Sequence, residues 1–266
     1  MLHLLAFLAA AAALRTNDTR LKVLPPPRSI AASGPPLALP AALRLHSASG
    51  PVHPYVAAAF ARFQARLPAP APAAAPAHAA VASPRLVLDV PSQDARLDET
   101  TDYSYTLTIS GGEVAISAPS PYGAVYALES LAQLVEASGA LQHDSVRIED
   151  APNFAWRGLM VDSGRRFFPM PVLTNLLDTM LAVKLNVLHL HASDECRFSV
   201  ESKLFPNLTA SLQGARGGFY TQDDVRALVA YAGARGIRVV PEIDIPAHGA
   251  WGACILCTAM LAWRRG

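Results

Sequence analysis

Cysteine is scarce in this chain: three residues in 266, an odd number and too few for a disulfide-stapled scaffold. Cys254-Ile-Leu-Cys257 has the spacing of a redox or zinc pair. No second pair and no helix N-terminus stands beside it to complete four ligands or lower a thiol pKa, so it reads as a chance pair in an apolar tail. Net charge is lacking too. Lys and Arg total 22 against 21 for Asp and Glu, which leaves no field to draw in nucleic acid or anionic lipid. No basic face is interleaved with aromatics, so no nucleic-acid partner is expected. Nor is there an apolar run long enough for a stable membrane span. Residues 2–14 come nearest and fall short.

What is present begins with that short run. It is followed at once by Arg15, Asn17 and Asp18, and it suits the h-region of a secretory signal peptide, with an Ala-rich leader helix as the alternative. Residues 1–20 are assigned to this leader. On the secretory reading, Asn17-Asp-Thr19 and Asn207-Leu-Thr209 are glycosylation sequons. With 52% hydrophobic and 16% charged residues, the remainder has the composition of a globular protein. Residues 24–27 and 33–40 read as extended, Pro-rich chain, and 56–67 can form one short helix. Residues 67–80 are Ala/Pro low complexity, a linker or insertion without a core pattern.

Residues 21–150 are read as a small α+β domain. A strand is expected over 85–90. Residues 103–110 alternate strictly, setting Tyr103, Tyr105, Leu107 and Ile109 on one face. Gly111-Gly112 supplies a two-residue hairpin turn, and Val114, Ile116 and Ala118 continue the apolar face. The spacing of Val125, Leu128, Leu131 and Val135 predicts a covering helix over 122–137, with Glu129, Gln133 and Glu136 mostly off its apolar stripe and Gly139 as its stop. No catalytic constellation is evident in this domain.

From Asp150-Ala-Pro152 onward the pattern changes, and residues 151–250 are read as a second domain. Strand-like runs at 156–162, 185–191 and 237–244 alternate with segments able to form helices, which implies parallel βαβ units. Val172, Leu173, Leu176, Leu177, Met180 and Leu181 make the stripe of the first helix. Thr221 caps the second, with Asp224 in its first turn, Val225, Leu228, Val229 and Ala232 facing inward, and Gly236 at its end. Polar groups suited to gripping a ligand are expected at the C-terminal end of each strand: Arg157 with Asp162, then His191 with Asp194 and Glu195, then Glu242, Asp244 and His248. A (β/α)8 barrel distributes its site in this way. The fold expected is therefore α/β, an α+β domain followed by the first three βα units of an incomplete TIM barrel.

Three motifs carry a resemblance: Arg157-Gly-Leu-Met-Val-Asp162-Ser-Gly-Arg165, Lys184-Leu-Asn-Val-Leu-His189-Leu-His191-Ala-Ser-Asp194-Glu195, and Gly236-Ile-Arg-Val-Val-Pro-Glu242-Ile-Asp244-Ile-Pro-Ala-His248-Gly249. Over residues 84–252 the chain resembles the glycoside hydrolase family 20 β-N-acetylhexosaminidases of the lysosomal or secreted type. The resemblance implies removal of terminal N-acetylglucosamine or N-acetylgalactosamine from a glycan, without cofactor or metal. The substrate's own acetamido oxygen attacks the anomeric carbon, an exception to the usual carboxylate pair. It implies that Arg157 holds sugar hydroxyls, that Asp194 and His248 form the network tuning the acid, and that the full-length form is secretory and can be a homodimer. On the same ground Glu242 and Asp244 shape the barrel interior, while Arg165, Arg166 and Glu195 are given no chemistry.

The family's proton donor and the Asp before it stand on a fourth barrel strand. Residues 251–266 do not match the chain expected there, so the sequence reads as an incomplete gene product without turnover, its three strands left with open edges. Two other readings stay open. His189 and His191, two apart on one strand face, resemble the start of a metal-dependent hydrolase site that Asp194, Glu242 or His248 could complete. A non-catalytic glycan-binding or partner-binding remnant is the other.

Overall fold

The computed structural model describes residues 23–39, 43–68, 85–195, 197–210, 212, 218–245 and 247–248. The leader, the Asn17 sequon, nearly all of the Ala/Pro stretch, the Cys254 and Cys257 pair and the tail 251–266 lie outside the described residues. The chain divides into two compact units between Ala155 and Trp156.

The first unit is a six-stranded sheet with helices on its apolar side. Its strands are β1 (Ser29–Ser33), β3 (Arg44–Ser47), β4 (Arg85–Asp89), β5 (Tyr105–Ser110), β6 (Glu113–Ser117) and β8 (Ser145–Asp150), in the order β1-β8-β5-β6-β4-β3. A separate small pair joins β2 (Leu37–Ala38) to β7 (Ala140–Leu141). The alternation in β5 buries Tyr105, Leu107 and Ile109. Gly111 and Gly112 both take positive φ, 58° and 80°, the twist that a tight β5–β6 hairpin requires.

Helix α1 (Pro54–Arg66) packs on α2 (Pro121–Leu134), and α2 lies on β5 and β6. Ser120 caps α2 by accepting from Gly123 N at 3.2 Å, and Pro121 opens the first turn, where its missing N–H is harmless. The helix ends at Leu134, short of the expected 137, because Val135 turns extended and bridges to Leu141. Gly139 (φ 82°) shapes the turn beyond rather than stopping the helix.

Glu129 departs from the periodicity reading more sharply. It is buried, because α1 covers the side of α2 that the spacing left to solvent. Arg66 Nη1 and Nη2 donate to its two oxygens at 2.8 and 2.9 Å. A buried carboxylate is tolerable only when so paired.

The second unit holds three parallel strands, β9 (Gly158–Asp162), β10 (Val187–His191) and β13 (Arg238–Glu242), ordered β13-β10-β9. Helix α3 (Met170–Ala182) connects the first two. The hairpin β11 (Ser193–Asp194) with β12 (Arg197–Phe198), the short α4 (Asn207–Ala210) and helix α5 (Gln222–Gly233) connect the next. This is the expected beginning of a βα barrel.

The helix faces are narrower than their stripes. Leu173, Leu177, Met180 and Leu181 are buried in α3 and Leu228 and Ala232 in α5, whereas Val172 and Val229 are exposed. Thr221 and Asp224 form a reciprocal capping box on α5. The helix stops at Gly233, three residues before Gly236. Leu159, Met160 and Ile243 are exposed beside the site-bearing strands.

Replacing Arg66 with Met strands the Glu129 carboxylate in apolar surroundings. Stability should fall by about 3 kcal/mol, read as a lower urea midpoint. Adding Glu129→Leu should restore most of the loss. A double variant no more stable than the single one shows that the ion pair is not the source.

Candidate active site at the strand ends

The ladder register sets His191 level with Asp162 on one side and Glu242 on the other. Carboxylate, imidazole and carboxylate therefore stand in a row at the C-terminal ends of parallel strands, the end at which a βα barrel assembles its functional groups.

The loops after the strands add further groups. The Arg165 backbone N–H donates to Asp162 Oδ1 at 2.9 Å, and its guanidinium donates to Asp162 Oδ2. Its Nε lies 3.0 Å from Asp194 Oδ2. Asp194 Oδ1 in turn pairs with His248 Nδ1 at 2.8 Å. His248 holds φ at 52°, in the left-handed region that non-glycine residues seldom occupy and that tends to mark functional positions. Asp162, Arg165, Asp194 and His248 thus form one continuous chain of contacts.

Glu242 carries a second cluster. One of its oxygens meets His189 Nε2 and the other lies 2.9 Å from His191 Nδ1. The His191 ring meets that of His248 edge-on, with centroids 5.8 Å apart.

Burial works to raise all three carboxyls, yet each is held below its usual range. For Asp162 the Arg165 backbone N–H and guanidinium outweigh the burial. The Glu195 backbone N–H, His248 and Arg165 do so for Asp194, and His191 with His189 for Glu242. Asp162 raises the Arg165 guanidinium in return. Asp162 and Asp194 are thus ionised acceptors around one cation, Arg165, while Glu242 serves the two histidines. A guanidinium has five N–H donors, more than Asp162 and Asp194 engage, and Arg165 is 55% exposed, open to a hydroxyl-rich ligand.

Buried hydroxyls hold the loops in place. Ser163 Oγ donates to His191 O at 3.0 Å and lies 2.8 Å from Ser199 Oγ. Ser199 Oγ donates to Ala192 O at 2.9 Å, and Ser193 Oγ accepts from Asp244 N at 2.9 Å. Gly164 passes so close to β11 that a Cβ there would lie 2.6 Å from the Ser193 carbonyl atoms.

Asp194 and His248 come together, but Arg157 does not join them. It precedes β9, at the opposite end of the ladder. Its Nε donates to Lys184 O at 2.9 Å and its N–H to Asn186 Oδ1 at 2.9 Å, stitching the start of β9 to the start of β10. The arginine that meets Asp162 and Asp194 is Arg165, which the sequence alone presents as a solvated loop charge. The signal that could have found it is position along the strand: Arg157 precedes the five-residue β9, and Asp162 is its last residue. His189 and His191 are drawn onto Glu242, and among the described residues no three His, Cys, Asp or Glu side chains are grouped to hold a metal ion.

Comparison with known proteins agrees with this architecture. A profile described as glycosyl hydrolase family 20, domain 2, matches residues 20–151, and one described as glycosyl hydrolase family 20, catalytic domain, matches 154–257. The β-hexosaminidase of Emericella nidulans is 45% identical over 170 residues, 62% of this chain and 28% of that protein. The β-N-acetylhexosaminidase of Cellulomonas fimi is 36% identical over 225 residues, 81% of this chain and 44% of that protein. Among solved structures, Flavobacterium johnsoniae chitobiase superposes with a TM-score of 0.74 at 29% identity, covering 87% of this chain and 36% of that one. The chain spans less than half the length of these relatives.

Gly164→Ala forces β11 and its Asp194 away from Arg165, so side-chain NMR should show the Asp194–His248 pairing lost while the first unit's resonances stay put. Retention of that pairing contradicts the close-approach account. The depressed carboxyls also set an acid limit. A carboxyl whose folded value lies below its unfolded one contributes stability that is fully present above the unfolded value, about 4, and is lost as pH falls through the folded value. The second unit should therefore weaken below about pH 4 in urea titrations. Asp162→Asn combined with Glu242→Gln should flatten that decline. An unchanged decline rules these groups out as its origin.

Proposed function

Because this chain belongs to glycosyl hydrolase family 20, we propose that its strand-end cluster serves a β-N-acetylhexosaminidase acting on terminal N-acetylglucosamine or N-acetylgalactosamine of glycans. The observation that carries this reading is the convergence of Arg165 on Asp162 and Asp194, with His248 paired to the other oxygen of Asp194. In this assignment Arg165 takes the role first given to Arg157. Its planar fork offers paired N–H donors to adjacent sugar hydroxyls, which a lysine cannot copy.

Asp194 and His248 support the reaction by charge. An ionised Asp194 shared between a guanidinium and an imidazole forms a fixed dipole network beside the site, the kind of arrangement that sets the protonation of a neighbouring acid. In the substrate-assisted mechanism the acetamido oxygen of the sugar is the nucleophile, so no carboxylate of the cluster need attack. None of the three motifs matches a residue of this chain to the proton donor. The reading therefore assigns these residues to binding and support, with a secretory route and a homodimer of the full-length form as its accompanying expectations.

The 266-residue chain should bind N-acetylglucosamine in NMR titrations and release no product from a chromogenic β-N-acetylglucosaminide. Arg165→Ala should weaken binding about tenfold or more, the effect of removing a charged hydrogen-bond donor. Arg157→Ala should leave the affinity of folded protein unchanged. Equal losses in the two variants, or no binding by the parent chain, overturn the assignment.

A further inference from the structure

Two imidazoles meet at Glu242. One carboxylate oxygen faces His189 Nε2 and the other is 2.9 Å from His191 Nδ1. An ionised carboxylate can only accept, so both bonded nitrogens carry a proton. Whenever the two rings are neutral they are thereby fixed in opposite tautomers: His189 protonated on Nε2, His191 on Nδ1. That leaves the Nε2 of His191 as a bare acceptor. The His191 side chain is 7% exposed, and among the described residues its Nε2 is buried without a hydrogen-bond partner. A buried acceptor with no donor is unfavourable, and a ring free to turn would avoid it.

The ring is not free to turn. Nδ1 is held by Glu242, and the ring packs edge-on against His248 at 5.8 Å. On the other side of its strand His191 is level with Asp162 in the neighbouring β9. A rotation exchanging the two nitrogens would break the Glu242 bond and disturb the His248 ring that Asp194 holds.

We propose that Glu242 is a positioning residue for the strand-end site: by clamping His189 and His191 in opposite tautomers, it fixes the imidazole surface against which His248 is aimed at Asp194. The link from this clamp to glycan hydrolysis rests on the function assigned above. The clamp itself does not, since tautomers can be read with no sugar present. The device lies outside the Asp162–Arg165–Asp194–His248 chain and meets it where the His191 ring packs on His248.

Imidazole-nitrogen NMR on the 266-residue chain, at a pH where the rings are neutral, tests this. The expected pattern is a pyrrole-type Nδ1 with a pyridine-type Nε2 for His191, and the reverse for His189. In Glu242→Gln, the amide oxygen can serve only one ring and its NH2 must face the other. One of the two histidines should therefore lose its single-tautomer signature, and the His248 resonances should shift. A His191 protonated on Nε2 in the parent chain overturns the proposal even if the variant does not fold. So does a folded variant in which the His191 and His248 signals are unchanged. A chain that shows the expected tautomers but binds no N-acetylglucosamine defeats the functional reading and leaves the clamp standing.

Discussion

The register of one parallel ladder governs everything at the site. Hydrogen bonds between β9, β10 and β13 set Asp162, His191 and Glu242 level. A slip of one residue would turn all three side chains to the opposite face. With the row in place, Arg165 needs only a three-residue turn to reach back to Asp162, and the short β11 brings Asp194 to the other side of the same guanidinium. The ladder supplies the level and the loops supply the charge.

What keeps the loops there is largely neutral. Ser163, Ser193 and Ser199 are fully buried and spend their hydroxyls on backbone groups. Such bonds are modest singly, but their loss would leave buried polar groups unsatisfied, which makes alternative loop positions costly. The charged network can then stay partly exposed, as a binding surface must, without having to hold the backbone. The first unit follows the opposite plan: its sheet buries apolar side chains under α2, and its principal polar exception, Glu129, is neutralised by Arg66.

Much of this was legible in the sequence, for a physical reason in each case. Alternation over 103–110 reports a half-buried strand because side-chain period and burial coincide there, and Gly111-Gly112 reports a hairpin because positive φ is required at both positions. The three strands of the second unit, its two main helices and the Thr221 cap were readable on the same grounds. Glu129 was not, since a helical stripe shows which face is apolar but not that a second helix will cover the rest. Arg157 and Arg165 are alike by residue type, and only their positions relative to β9 separate them: Arg157 precedes the strand and Arg165 follows it. The joint grip of Glu242 on two histidines depends on strands far apart in sequence, and no local pattern announces it.

The central claim is that an amino sugar is gripped at the C-terminal strand ends, with Arg165 as its main cationic contact. Mapping backbone and side-chain resonance changes during titration with N-acetylglucosamine tests it most directly. The account predicts changes concentrated on Arg165, Asp162, Asp194 and His248, with little at Arg157, Lys184 and Asn186. Changes centred on the opposite end of the ladder, or spread through the first unit, would contradict it.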